Sequence, residues 1–236
     1  MALKEFLRRG FRRWGYSVYR SKALPVGLDL VADISRIKDF ASMRVVFDVG
    51  ANIGDWTLDH LAHAPAATFY CFEPSADTFR TLNGRVGHRP RVRTVQAAAG
   101  CVSGSAHLYR FGSSVQHSLV ARAAEDGSTG TEEVRVLTLD EFADGHGIEH
   151  IDLLKTDTEG YDAEVLAGAR RMLERKRIDF VFVEVNFAKD DAGHSNFDTI
   201  AALLGKHGYQ PVGFYDVHLW GPPWFVMYMN VLFTSV

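Results

Sequence analysis

The stretch VVFDVGANIGDWT (Val45–Thr57) decides the fold, because an apolar run leads straight into a glycine turn. Asp48, Gly50, Asn52 and Gly54 alternate through that turn. Gly50 allows the chain to reverse sharply, and Gly54 allows the following helix to begin close to the strand. In the dinucleotide-binding fingerprint, a second glycine stands where Asn52 stands here and lets the backbone approach a pyrophosphate. The stretch therefore favours a nucleotide-binding turn that holds no phosphate.

The composition is typical of a folded protein with a sizeable core. Of 236 residues, 47% are hydrophobic and 23% are charged, which fits one ordinary domain. The formal net charge of −3 provides no overall field that attracts nucleic acid. Cys71 and Cys101 lie outside any Cys-x-x-Cys or Cys/His cluster, so we expect two buried reduced thiols and neither a disulfide nor a zinc site.

The N-terminal segment MALKEFLRRGFRRWGYSVYR combines basic side chains with apolar residues at helical spacing. Arginines interrupt its apolar stretches, which argues against a secretory signal, and no apolar run of the chain approaches the ~18 residues of a membrane span. A basic amphipathic helix can lie on an anionic membrane, receive an anionic substrate, or pack on its own domain. We therefore expect residues 1–40 to form a helical extension of a cytoplasmic protein, with peripheral contact to the inner membrane face as one alternative.

From residue 41 onward, short apolar runs alternate with helical patterns. Five runs are predicted to be strands: Arg44–Val49, Thr68–Phe72, Arg93–Ala98, Ile151–Thr156 and Asp179–Val185. Apolar strands that alternate with helices are typical of a parallel sheet covered on both faces. Two further β-like runs near the C-terminus are predicted to complete the sheet, one of them antiparallel. This pattern predicts that residues 41–236 form an α/β domain with a doubly wound, mostly parallel seven-stranded sheet.

Three regions do not follow this alternation. The stretch GCVSGSAHLYRF (Gly100–Phe111) predicts a hairpin-like excursion with Ser103 and Gly104 at its tip. The polar, glycine-rich stretch Ala121–Thr131 predicts a mobile loop. Near the C-terminus stands an aromatic cluster: Tyr215, His218, Trp220, Trp224 and Phe225. The side chains of that cluster can form an aromatic surface that contacts a sugar ring, or they can belong to the ordinary apolar core.

An acid after the second predicted strand points to the ligand. In doubly wound sheets, ligands bind beyond the carboxyl ends of the strands, near the point where strand order reverses. Glu73 stands about 20 residues beyond the glycine turn, where an acid accepts hydrogen bonds from ribose hydroxyls; an acid at a helix N-terminus is the alternative. Asp48 and Glu73 together indicate an adenosine-containing ligand. Acids beside a turn that holds no phosphate suit a cationic cofactor, namely S-adenosylmethionine.

Ionisable residues also stand at the ends of the fourth and fifth predicted strands and just beyond them. Lys155, Asp157 and Glu159 alternate, so a strand continuing through them would place all three side chains on one face. Because charges are costly inside a sheet, we expect these residues and Glu184 to line a pocket in which one is a general base. An internally neutralised cluster is the alternative. Asp157, Glu184 and Asn186 can hold a divalent cation through oxygen ligands if they converge, which spacing alone does not establish.

Several of these segments resemble the FkbM-type methyltransferase family: VVFDVGANIGDWT, FYCFEPS, VRVLTLDEF, IDLLKTDTEGYDAEVLAGA and VFVEVN. The resemblance spans about residues 43–186, and DLLKTDTEG is its most specific part. It implies a class I, Rossmann-like fold and S-adenosylmethionine-dependent methylation of a hydroxyl. It also implies site residues: Asp48, Gly50, Asn52 and Gly54 for the cofactor turn, Glu73 for the ribose, Ala98 and Gly100 near the adenine, and Lys155, Asp157, Glu159 and Glu184 at the reacting centre. Thr158 departs mildly from the family pattern, which usually has an aliphatic residue there.

The resemblance implies displacement at the methyl group of the cofactor by an alcohol oxygen. An alcohol is a weak nucleophile, so a carboxylate must take its proton, and Asp157 and Glu184 are the candidates. We expect the acceptor to be a sugar hydroxyl in a glycan or glycoconjugate. The alternatives are a hydroxyl of a polyketide- or peptide-type natural product and a non-catalytic cofactor-binding protein on the same fold.

Two other enzyme classes fit the residues poorly. A short-chain dehydrogenase requires a lysine four residues after its tyrosine, whereas Val165 follows Tyr161 at that distance. A methyltransferase acting on nitrogen in nucleic acid or protein favours an Asn/Asp-Pro-Pro-aromatic motif after the fourth strand, where this chain has Asp157-Thr158-Glu159-Gly160. The residues therefore favour a small-molecule or glycan acceptor and no nucleic-acid partner.

Overall fold

A computed structural model describes residues 10–19, 23–111, 117–120, 129–188 and 194–235 of the chain. Residues 1–9 and 20–22 of the predicted basic N-terminal extension lie outside these ranges. In the described part of that segment, Phe11 and Trp14 are exposed. No helix in the described ranges has both the length and the apolar character needed to cross a membrane.

Strands and helices alternate through most of the described chain. The strands are β1 (Val45–Val49), β2 (Thr68–Phe72), β3 (Val92–Val95), β4 (Ala98–Ala99), β5 (Gly104–Arg110), β6 (Gly130–Leu137), β7 (Ile151–Thr156), β8 (Ile178–Asn186), β9 (Ser195–Asn196), β10 (Tyr209–Trp220) and β11 (Phe225–Ser235). The helices are α1 (Leu30–Ile34), α2 (Asp55–Leu61), α3 (Ala76–Val86), α4 (Leu139–Gly145), α5 (Asp162–Ala167), α6 (Arg170–Glu174) and α7 (Phe197–Lys206), with a short 3-10 helix at Phe40–Ser42.

The main sheet has the doubly wound order β10-β11-β8-β7-β1-β2-β3. β8, β7, β1, β2 and β3 are parallel, whereas β11 runs antiparallel to both of its neighbours. The predicted α/β fold with a mostly parallel sheet is confirmed. The strand count differs, because the short β9 pairs with the end of β8 and makes the sheet eight-stranded. Strand order reverses between β1 and β7, and this is where such sheets form a ligand crevice.

A second, three-stranded sheet (the small sheet, β4-β6-β5) was not predicted. The predicted strand Arg93–Ala98 is divided, because the chain turns where Ala97 N–H donates to the Val95 carbonyl oxygen (3.0 Å). The predicted hairpin tip at Ser103 and Gly104 is wrong, since Gly104 begins β5 and β5 pairs with β6. Residues 121–128 of the predicted mobile loop lie outside the described residues, and residues 130 and 131 belong to β6.

The two cysteines differ in their surroundings. Cys71 is buried in β2, as expected, but Cys101 is exposed. The expectation of two buried thiols is therefore wrong for Cys101. The reason is that Cys101 lies in the surface connection between β4 and β5, a stretch that the sequence analysis placed in the hairpin-like excursion.

Both faces of the main sheet are buried, as predicted for a parallel sheet. One face places Phe47, Val49 and Leu154 in a large apolar cluster. The opposite face places Val46, Leu153 and Phe182 in a second cluster. This second cluster also contains three residues from the chain before the sheet: Leu30, Ile34 and Phe40. Core packing therefore extends across residue 40, where the boundary of the domain was expected.

Asp152 joins the beginnings of β1 and β7 from a buried position. Its Oδ2 accepts hydrogen bonds from the N–H groups of Arg44 (2.8 Å) and Val45 (2.9 Å), and its Oδ1 forms an ion pair with Lys38. Burial alone would raise the pKa of Asp152, but these hydrogen bonds and the charge of Lys38 hold it below its usual value.

We expect Asp152→Ala to lower the free energy of unfolding by about 2–4 kcal/mol, because it leaves two backbone N–H groups without an acceptor and Lys38 without one of its partners. Urea denaturation followed by circular dichroism measures this. Glu149→Ala, at an exposed position just before β7, is the matched control and should change stability by less than about 0.5 kcal/mol. A loss below about 1 kcal/mol in Asp152→Ala would contradict this account.

Candidate active site

A cleft opens at the carboxyl ends of β1, β2 and β7, beside the point where strand order reverses. Six of the residues predicted for the site line this cleft: Gly50, Asn52, Glu73, Ala98, Asp157 and Glu159. The other predicted residues, Asp48, Gly54, Gly100, Lys155 and Glu184, are not among those that line it. The cleft therefore combines predicted cofactor residues with two of the acids predicted at the reacting centre.

The turn after β1 is packed tightly between two neighbours. Gly50 has φ +73°, and a Cβ there would lie 1.9 Å from the carbonyl oxygen of Asp157. Asn52 also has a left-handed conformation (φ +47°). Gly54 has φ +87°, and a Cβ there would lie 2.9 Å from Cδ1 of Leu82 in α3. The glycines thus allow one turn to touch both the loop after β7 and α3, as the sequence predicted for a close helix–strand approach.

Asp48 and Lys155 form a buried ion pair beneath this turn. Lys155 Nζ lies 3.2 Å from Asp48 Oδ1 and 3.4 Å from Asp157 Oδ2, and it donates a hydrogen bond to the Gly50 carbonyl oxygen (3.0 Å). The Thr57 hydroxyl donates to Asp48 Oδ2 (2.6 Å). Burial alone would lower the pKa of Lys155, but the charges of Asp48 and Asp157 raise it above its usual value. Lys155 therefore stays charged and connects the turn to Asp157, while Asp48 lies behind the cleft surface.

Glu73 connects the turn after β1 to the beginning of α3. Its Oε2 accepts a hydrogen bond from Asn52 N–H (3.1 Å), and its Oε1 accepts one from Ser75 N–H (3.0 Å). Burial raises the pKa of Glu73 to about 7, although these two hydrogen bonds oppose the shift. The carboxylate borders the cleft and also contacts the residue that precedes α3, so the geometry is compatible with both roles considered from the sequence.

Three of the carboxylates predicted for the reacting centre converge, but not for the reason that the sequence indicated. β7 ends at Thr156, and Glu159 has φ +52°, so the predicted strand through Lys155, Asp157 and Glu159 is wrong. The chain instead turns, and one oxygen from each of Asp157, Glu159 and Glu184 lies within 4.8 Å of the others. We call these three residues the acidic trio. Asn186, predicted as a cation ligand with Asp157 and Glu184, is buried at the end of β8.

The acidic trio strongly disfavours a further negative charge. Burial, followed by the charges of Asp157, Glu159 and Asp162, raises the pKa of Glu184 to about 9. His194 Nε2 lies 3.7 Å from Glu184 Oε2. Carboxylate oxygens at these separations suit a cationic group, either a sulfonium or a divalent cation with oxygen ligands.

The β10–β11 hairpin borders the side of the trio away from the cleft. Asn230 of β11 pairs with Glu184 and Met229 with Val185, so the residues of β11 before Tyr228 extend beyond the end of β8. Tyr228 stacks on His194 and on His218, with ring centroids 4.7 Å and 4.3 Å apart. The predicted aromatic cluster is divided: Trp220, Trp224 and Phe225 are exposed, whereas Tyr215 is buried with its hydroxyl bonded to Asp33.

Sequence reasoning missed several residues at this rim. His117 and Leu119 line the cleft from the connection between β5 and β6. His194 and Tyr228 approach Glu184 from a loop and from the hairpin. None of these residues follows a parallel strand, which was the signal used to find the acids.

Comparison with known proteins decides the family. A family model described as the methyltransferase FkbM domain matches residues 48–211, which is most of the chain and most of the main sheet. The chain belongs to the FkbM methyltransferase family. The predicted family is therefore confirmed, and S-adenosylmethionine is the methyl donor expected for it.

Relatives of this FkbM-family protein are named for different functions. It is 32% identical to the 31-O-demethyl-FK506 methyltransferase FkbM of Streptomyces tacrolimicus, over 73% of this chain and 75% of that protein. It is 27% identical to the hexuronic acid methyltransferase AglP of Haloferax volcanii, over 62% of this chain and 57% of that protein. It is also 27% identical to the AMB antimetabolite synthetase AmbE of Pseudomonas aeruginosa, over 70% of this chain but only 9% of that protein.

Proposed function

We propose that this protein transfers a methyl group from S-adenosylmethionine to a hydroxyl of a sugar in a glycan or glycoconjugate. The convergence of the acidic trio beside the cleft carries the proposal. An alcohol needs a base to take its proton during attack, and carboxylates at this position supply candidates. Membership of the FkbM family supports methyl transfer, and the relative named as a hexuronic acid methyltransferase supports a sugar acceptor.

The lining of the cleft fits the proposed cofactor. Gly50 provides a turn without a side chain, Glu73 is the candidate for the ribose hydroxyls, and Ala98 is the candidate beside the adenine, whereas Gly100 lies outside the lining. When bound, S-adenosylmethionine supplies an electrophilic methyl group on a positively charged sulfur. The acidic trio complements such a charge, which supports this cofactor over a neutral nucleoside.

We assign different roles to the two candidate bases. Asp157 lines the cleft and is paired with the buried Lys155, so its role is to orient the bound cofactor. Glu184 lies outside the cleft lining and next to the hairpin, so its role is to take the proton of the acceptor hydroxyl. Positioning both reactants at this junction supplies much of the rate, as in any two-substrate displacement.

Binding of S-adenosylmethionine should release a proton at neutral pH. The pKa of Glu184, about 9, means that its carboxyl is protonated at pH 7, and a nearby sulfonium favours the ionised form. Affinity should therefore rise with pH from neutrality to about pH 9 and then level off. Calorimetry in buffers of different ionisation enthalpy measures the released proton. S-adenosylhomocysteine, which has a neutral sulfur, should release fewer protons, and Glu184→Gln should remove the difference between the ligands.

One relative favours a second acceptor class. The 32% identity to a protein named as a 31-O-demethyl-FK506 methyltransferase supports a hydroxyl of a polyketide-type natural product. The third hypothesis is a non-catalytic cofactor-binding protein on the same fold. This hypothesis does not explain why three acids converge beside the cleft.

The test is mass spectrometry of methyl transfer from isotope-labelled S-adenosylmethionine into a mixed panel of glycans, free hexuronic sugars and polyketide alcohols. We expect label on a sugar hydroxyl. Label on the polyketide alcohols alone would favour the second class, and cofactor binding without transfer to any acceptor would favour the non-catalytic reading. A parallel reaction with a metal chelator shows whether the trio acts with a divalent cation.

A further inference from the structure

His117 lines the cleft proposed for the cofactor, and hydrogen bonds hold its segment to two other parts of the chain. Its neighbour Ser118 forms an antiparallel bridge with Tyr109 of β5, with N–H to oxygen distances of 2.9 Å and 3.2 Å. The Ser118 hydroxyl also donates to the carbonyl oxygen of Glu159 (2.7 Å). The segment is thereby held against both the small sheet and the loop of the acidic trio, which sets the position of the imidazole.

The hydrogen bonding of the His117 ring determines its tautomer. Nε2 lies 3.3 Å from the carbonyl oxygen of Phe111, and because a carbonyl only accepts, Nε2 must carry the proton. Nδ1 is then an acceptor. Burial lowers the pKa of His117, which keeps the ring neutral at pH 7. Nδ1 is itself buried and has no hydrogen-bond partner among the described residues.

A buried acceptor such as His117 Nδ1 is satisfied when a bound ligand donates a hydrogen bond to it. A buried polar atom without a partner is unfavourable, and such atoms in native proteins usually have an explanation such as a bound molecule. Of the described residues that the small sheet and the β5–β6 connection place on the cleft, His117 alone has a polar side chain; the others are Ala98, Ala99, Leu108 and Leu119. This is the end of the cleft where Ala98 is the candidate neighbour of the adenine.

We propose that His117 Nδ1 accepts a hydrogen bond from the 6-amino group of the cofactor's adenine, and so selects adenine over purines without a donor at that position. The proposal rests on the proposed function, because it assumes an adenosyl cofactor in this cleft. The apolar neighbours provide no competing side-chain acceptor at this end in the described part of the chain.

Calorimetry with two ligands tests the assignment. The ligands are S-adenosylhomocysteine and an analogue in which hydrogen replaces the 6-amino group of the purine. The wild-type protein should bind the analogue about 10-fold more weakly, since the analogue leaves Nδ1 without its donor. His117→Phe should bind S-adenosylhomocysteine about 10-fold more weakly than wild type does and should bind both ligands within about 2-fold of each other.

Two further variants complete the design. His117→Gln retains an acceptor oxygen and should keep part of the discrimination, whereas His107→Phe, at an exposed position of β5, should keep all of it. Circular dichroism checks that each variant is folded. Equal affinity of the wild type for both ligands, or a full penalty for the analogue in His117→Phe, would overturn the assignment alone. Absence of S-adenosylhomocysteine binding to the wild type would overturn the proposed function together with it.

Discussion

Gly50→Ala is expected to abolish measurable binding of S-adenosylhomocysteine and to lower the free energy of unfolding by at least ~2 kcal/mol. Two effects add at this position. A left-handed conformation such as φ +73° costs an L-residue about 1–2 kcal/mol. The new Cβ would also lie 1.9 Å from the carbonyl oxygen of Asp157, which belongs to the backbone and cannot swing aside. Relieving the contact must move the turn after β1 away from the loop after β7, and this opens the cleft.

Gly84→Ala is the matched control for this substitution. Gly84 lies within α3, and a Cβ there meets nothing within 4 Å. Alanine at a helix interior position should raise stability by about 0.5–1 kcal/mol and leave ligand affinity unchanged. Urea denaturation and calorimetry measure the two quantities for both variants. If Gly50→Ala retained the wild-type affinity, the turn after β1 would have no part in holding the cofactor.

Glu184→Gln is expected to lower kcat by at least ~100-fold, the usual contribution of a general base, while the affinity for S-adenosylhomocysteine stays within about 3-fold of wild type. The substitution preserves size and replaces the ionisable carboxyl with an amide, which can neither take a proton nor carry a charge. Because Glu184 lies outside the residues that line the cofactor cleft, binding should be separable from turnover. Steady-state kinetics on the identified acceptor and calorimetry on the product ligand test the two statements independently.

Asp157→Asn is expected to reduce kcat by a similar ~100-fold factor, but through a different cause. The amide loses the ion pair with the buried Lys155, whose amine then has Asp48 as its remaining carboxylate partner among the described residues. Glu149→Gln, at an exposed acid far from the cleft, is the matched control for both variants and should leave kcat unchanged. Near-normal turnover in both Asp157→Asn and Glu184→Gln would remove the two residues from the chemistry.

Much of the main sheet was predictable because its strands are short apolar runs. The bounds of β2 and β7 agree with the prediction, and β1 and β8 differ from it by one residue at their ends. The division between β3 and β4 was not predictable from apolar pattern, because Gln96 and Ala97 carry no turn signal. The pairing of β5 with β6 was missed for a related reason: the two strands are separated by a long connection, so their contact is not local.

The acids of the candidate site were found because parallel strands end at a common edge. That rule correctly brought Asp157 and Glu184 together, although Glu159 joins them through a left-handed turn and not through strand alternation. The same rule could not find His117 or Tyr228, which reach the site from the small sheet connection and from an antiparallel hairpin.

The sequence by itself determined the alternation of strands and helices, the glycine turn after β1, and the presence of acids after β2 and β7 and near the end of β8. These features depend on local backbone preference and on the periodicity of buried residues. Both can be recognised from residues that are close together in the sequence. Tertiary structure alone decided that Asp48 lies behind the cleft with Lys155, that Glu159 joins the acidic trio, and that His117 and the β10–β11 hairpin border the site. Those relations are distances between segments far apart in the chain, and long-range packing sets them.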